Sequence, residues 1–266
     1  MPLAYDALLQ IRNDGVGLID IVENHDPNTP IAACPGWTLS DLAWHVGGVW
    51  DFWSRVVEEH MTDIEAVKTI DEPGKLSGDA LIEWVTASHT AIYAALVDAR
   101  PEREVWTWTG QNQNVEWVRR RMAQETAVHR IDAELTVGAE RSPVDCRLAA
   151  DGVDEALRIM RGYPPEYGLT ASPLGPSVTI AVVDGFHTWT VTPVNVTGVD
   201  PDGDAWDERR FAVTDGPDEA SVAEVAGTAG DLDCWLWNRP PHGEISRTGD
   251  EAALALVEGI VADSID

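Results

Sequence analysis

The sequence predicts an α+β protein, with an N-terminal four-helix bundle followed by a smaller α+β domain that carries an antiparallel sheet. Three observations carry that expectation. The first half holds four apolar stripes at helical spacing, separated by long loops. Beyond residue 141 the pattern changes to short alternating runs bounded by turn residues. The chain has 266 residues and 44% hydrophobic content, enough for one large domain or two ordinary ones. The expected domains are 1–140 and 141–266.

Residues 3–24 place Leu8, Ile11, Leu18, Ile19 and Val22 on one helical stripe, which Gly15 and Gly17 weaken. Pro27, Pro30 and Pro35 then impose a loop. Thr38 and Ser40 are both candidate N-caps for a second helix running to about His60, and Asp41 suits its first turn. Its stripe is Leu42, Val46, Val49, Trp53 and Val56. Residues 61–76 are polar, contain Pro73 and Gly74, and read as a loop. Ser77 is the expected cap of a third helix to about Asp98, burying Leu81, Val85, Ile92 and Leu96. A tryptophan-bearing loop over 100–114 leads into a fourth helix, Trp117 to Leu135, ending near Gly138.

In the second half, residues 145–161 form a helix on Leu148, Val153, Leu157 and Ile159. Residues 163–176 are turn-rich. SVTIAVVDG and HTWTVTP follow as a hairpin, and ERRFAVTDG and ASVAEVAGT as further strands. DLDCWLWNR is a short helix, and EAALALVEGIVADS, residues 251–264, the last one.

Charge and composition narrow the partners. There are 46 acidic against 18 basic residues, a net charge of −28, and a field of that sign repels nucleic acid and anionic lipid. The acids are dispersed, which reads as a solvated surface. No apolar run approaches the roughly 18 residues of a membrane span, and the N-terminus lacks the pattern of a secretory signal. Three scattered cysteines, Cys34, Cys146 and Cys234, make no disulfide framework, so a reducing cytoplasm fits. The expected partners are small molecules bound by a monomer or small homo-oligomer. Twelve tryptophans should supply core and pocket walls, Trp44, Trp50, Trp53, Trp106 and Trp108 among them, which suit an apolar electrophile.

Glu125 and His129 stand four residues apart on the fourth helix, so their side chains share a face one turn apart. Such a pair grips one metal ion if a third ligand arrives from elsewhere, and His45 on the second helix is the candidate. A lone helical histidine also serves as a hydrogen-bonded structural residue. Two neutral imidazoles and a carboxylate suit Zn²⁺ and related divalent ions, and three protein ligands leave a fourth position open for chemistry. Asp132 could accept a hydrogen bond from a ligand or act as a surface carboxylate. Cys34 reads as a buried structural thiol. Arg239, after an apolar helix and before two prolines, either caps that helix or binds a carboxylate bidentately. No GxSxG elbow, phosphate loop or dinucleotide fingerprint is present.

The run CPGWTLSDLAWHVGGVWDFW resembles the first motif of the mycothiol-dependent maleylpyruvate isomerase family, a branch of the DinB-like metal-binding bundles. WVRRRMAQETAVHRIDAEL resembles its second motif through Trp117, Arg119 or Arg120, Met122, Glu125, His129, Arg130 and Asp132. The C-terminal half resembles the family's second domain, including a W-x-R at Trp237 and Arg239. The similarity covers essentially the whole chain. It implies a divalent ion, usually zinc, on His45, Glu125 and His129, and mycothiol as a thiol cosubstrate. It also implies an arginine of the second domain, matched by Arg239, that helps with the substrate. In that family the thiolate adds to the cis double bond of maleylpyruvate, and rotation and elimination give fumarylpyruvate. A transferase would instead leave the thiol on the product. The alternatives are a zinc-water hydrolase and a non-catalytic metal- or thiol-binding sensor.

Overall fold

The structure is a computed structural model that describes residues 3–263 apart from 72, 110, 111 and 202. Two positions of the expected tryptophan-bearing loop, 110 and 111, and the last position of the expected terminal helix, 264, lie outside the described residues. The chain splits into two compact units, Met1–Pro143 and Val144–Asp266.

The first unit is helical. Helix α1 spans Ala7–Asn24, and its Asp6 cap accepts from the Leu9 amide at 3.0 Å. Helix α2, Leu39–Glu58, starts with a capping box in which the Thr38 and Asp41 side chains each accept from the other's backbone amide. Of the two expected caps, Thr38 is the one used. Within the stretch expected to be a loop, a four-residue helix α3 forms over Ile64–Val67 on an Asp63 cap. Helix α4, Asp79–Asp98, begins at Gly78 (φ 58°) with no side-chain cap, so the role expected of Ser77 is not realised. Helix α5, Val115–Val137, is capped by Asn114 and stopped by Gly138 in the left-handed region at φ 67°.

The four long helices pack in pairs: α1 against α4 and α5, and α2 against the same two. Two glycines make the closest approaches possible. A Cβ on Gly15 would lie 2.2 Å from His89 Nε2, the atom that donates to the Ile11 carbonyl at 3.0 Å. A Cβ on Gly47 would lie 2.6 Å from the Trp84 ring. Helix α4 is long and apolar enough to cross a membrane by length and composition. Its stripe of Leu81, Val85, Ile92 and Leu96 is nonetheless buried within the unit.

In the second unit, helix α6 (Cys146–Glu155) runs on into a π-helical segment, Ala156–Met160, so the expected 145–161 helix changes pitch midway. The strands are β1 (Thr170–Pro173), β2 (Val178–Val182), β3 (Thr188–Val199), β4 (Ala205–Asp215), β5 (Ala223–Gly227) and β6 (Ser246–Gly249). Strand β3 pairs β2 and β1 antiparallel at successive positions and β4 along its whole length. The expected β2–β3 hairpin is present, with Val178 opposite Val191. The sheet is not wholly antiparallel: β2 and β5 run parallel, because β5 returns to β2 only after the β3–β4 excursion. Helices α7 (Ala229–Leu236) and α8 (Glu251–Val261) complete a core built on Ile180, Val191, Phe211, Val225, Leu232 and Ile260.

Candidate metal centre

Helices α2 and α5 bring the three expected ligands together. His45 Nε2 lies 3.0 Å from Glu125 Oε1, and His129 Nε2 lies 3.2 Å from the same oxygen. One donor atom from each residue falls within 4.8 Å of the others, and among the described residues this is the one His/Cys/Asp/Glu group so arranged. The two imidazoles meet edge to face with centroids 5.0 Å apart.

The surroundings of the three divide the available atoms. Asp132 Oδ2 accepts from His129 Nδ1 at 2.9 Å, which turns Nε2 toward Glu125. Arg121 Nη2 donates to Glu125 Oε2 at 2.6 Å, which leaves Oε1 for the imidazoles. Burial alone would lower the basicity of His129, but the Glu125 and Asp132 carboxylates raise its pKa to about 9. Burial likewise favours the neutral Glu125 acid, yet His129, His45 and Arg121 hold its carboxyl well below the usual range. A proton therefore sits where a cation would sit. Two imidazole nitrogens and one carboxylate oxygen, with the far nitrogen of His129 held by a carboxylate, fit Zn²⁺ or a related divalent ion.

Sequence reasoning missed Arg121, although its position four residues before Glu125 was the available signal. Cys34 was expected to be a buried thiol. It is partly buried, and its Sγ lies 3.8 Å from Asp132 Oδ2.

His45 also lines a cleft of about 590 Å³. Of the tryptophans expected in pocket walls, Trp44, Trp53 and Trp108 line it, joined by Trp37 and Trp84. Trp50 instead lies in the core and donates to Thr126 Oγ1 at 3.2 Å, while Trp106 stacks on Trp53 with centroids 6.2 Å apart. Arg239 belongs to the second unit. It follows α7, its amide donates to the Cys234 carbonyl at 2.7 Å, and its Nη1 donates to the Trp237 carbonyl at 2.5 Å.

Two family models match the chain. Residues 8–134 match the mycothiol maleylpyruvate isomerase N-terminal domain, and residues 147–256 match the C-terminal domain of the same family. The chain belongs to the mycothiol-dependent maleylpyruvate isomerase family. Within this family's two domains, His45, Glu125 and His129 fall in the N-terminal match and Arg239 in the C-terminal one. Two solved structures share the fold of this family member: the mycothiol-dependent maleylpyruvate isomerase, with a TM-score of 0.57, and a histidine-to-alanine mutant of it, with 0.56. Each is 14% identical in sequence and covers 92% of both chains. No curated protein matches the sequence.

Proposed function

We propose that this family member is a divalent-metal-dependent enzyme that activates the thiol of mycothiol for addition to a small electrophile. The addition either isomerises a maleylpyruvate-like substrate and returns the thiol, or retains the thiol on the product as an S-transferase does. The observation that carries the proposal is the convergence of His45, Glu125 and His129, with His45 also lining a cleft. A divalent ion on those donors supplies Lewis acidity, which lowers a thiol pKa from its ordinary value near 8.5 into the neutral range.

The chain's own residues prepare that state. Asp132 fixes the tautomer of His129, and Arg121 offsets the charge of Glu125. Five tryptophans line the cleft around His45, and apolar walls that exclude water strengthen local electrostatics. Arg239 is our candidate for a hydrogen bond to an oxygen of the electrophile, since a guanidinium is a charged donor. The family membership supports that role.

The test begins with elemental analysis of the purified protein, expected to give about one divalent ion per chain. The protein is then mixed with mycothiol and either maleylpyruvate or monochlorobimane. Maleylpyruvate conversion without loss of thiol marks the isomerase, and a fluorescent conjugate marks the transferase. Failure of mycothiol to support turnover of either, with metal present, overturns the proposal.

A further inference from the structure

We infer that the electrophile accepted beside His45 is a neutral, planar, ring-bearing molecule rather than a small dicarboxylate. This rests on the thiol-enzyme reading above and adds the substrate class to it. Trp37, Trp44, Phe52, Trp53, Trp84 and Trp108 are among the residues that line the cleft. Trp44 and Trp84 stack with centroids 4.7 Å apart and planes inclined by 29°. Trp108 meets Trp53 at 5.6 Å, and Trp37 lies 4.9 Å from the His45 ring. Gly47 lets Trp84 reach this position, because a side chain there would strike its ring. Flat π surfaces such as these hold flat, apolar ligands by stacking and by displacing water.

The charges of the cleft point the same way. Among the described lining residues the full charges are Asp41 and Lys75, and they pair with each other at 2.5 Å. Asp41 is further held by the Thr38 hydroxyl and amide. A divalent ion on the triad would attract one carboxylate of a dianion, but the second meets a lysine already matched by Asp41, and the net charge of −28 opposes the approach. A cationic ligand is disfavoured in turn by a divalent ion on the ligand triad.

An α,β-unsaturated ketone with an aryl group is the simplest member of the class. In that addition the thiolate sulfur supplies the electron pair of a new C–S bond at the β-carbon. The alkene π pair moves through the α-carbon toward the carbonyl oxygen, and the α-carbon regains the proton that the thiol gave up. No oxidant or reductant is needed.

Two measurements on the full zinc-loaded chain test this. Binding is read by quenching of tryptophan fluorescence with 4-phenyl-2-butanone, a saturated ketone that cannot react with a thiol. Saturable quenching is expected, weakened at least fivefold in Trp84→Leu and in Trp108→Leu, with zinc content and far-UV circular dichroism retained. Trp108 is 40% exposed, so its variant keeps the test sound if Trp84→Leu misfolds. Turnover is read with mycothiol, and kcat/KM for benzylideneacetone is expected to exceed that for maleylpyruvate at least tenfold. A kcat/KM for maleylpyruvate equal to or above that for benzylideneacetone, or quenching no stronger than that given by succinate, overturns the substrate class while leaving the thiol chemistry standing. Tight binding of the ketone with no mycothiol-dependent turnover supports the aromatic cleft and removes the thiol reading instead.

Discussion

Asp132 decides which nitrogen of His129 is offered to a cation, because its carboxylate accepts a hydrogen bond from Nδ1–H and so keeps the proton there. Asp132→Asn should therefore weaken metal affinity by about 10- to 100-fold, as loss of such supporting partners does, and competition with a chromophoric chelator measures it. His129 also makes binding pH-dependent. Its imidazole keeps a second proton up to a pH of about 9, so an ion arriving at neutral pH must displace it. Calorimetry in buffers of differing ionisation enthalpy should show about one proton released per ion, with affinity rising with pH until that point. Without the ion, the same raised pKa stabilises the fold fully below pH 6.5, and this contribution is lost as pH rises through about 9. The clustering of His45, Glu125 and His129 was legible because two of them share a helical period and the third lies in a specific motif. Trp37 and Trp84 were not legible as cleft walls, since nothing local marks a residue that acquires its neighbour from another helix.

At the scale of elements, the long helices announced themselves through apolar period, α2 also through its Thr38 cap and α5 through its stop at Gly138. Short or exposed elements did not. Helix α3 has four residues, β6 is exposed at every position, and β1 ends on Pro173, so none carries a period that burial would impose. The π-helical turn after α6 has the same kinds of apolar residue as an α-helix and differs in its hydrogen bonding and pitch, which leave no mark on the sequence. Where α2 meets α4 the fit is steric. Gly47→Ala gains up to about 1 kcal/mol of helix propensity, but its Cβ would lie 2.6 Å from the Trp84 ring. Overpacking of that kind costs about 1–3 kcal/mol, so a net loss of stability should appear as a lower urea midpoint.

Over the whole molecule the governing quantity is charge. At −28 the folded chain repels itself, and salt relieves that repulsion. Raising NaCl from about 0.01 to about 1 M, which shortens the Debye length from about 30 to about 3 Å, should raise Tm by scanning calorimetry. A falling Tm would show that attractive ion pairs outweigh the self-repulsion. Connectivity imposes a different constraint on the second unit. The β3–β4 hairpin joins neighbours in the chain, whereas β5 reaches β2 only by closing a loop of about 40 residues. During synthesis, a nascent chain that has not yet emerged beyond residue 222 has no partner for the outer edge of the apolar run Val178–Val182. That bare edge is a template for pairing with other chains, so truncations before β5 are the ones that should aggregate.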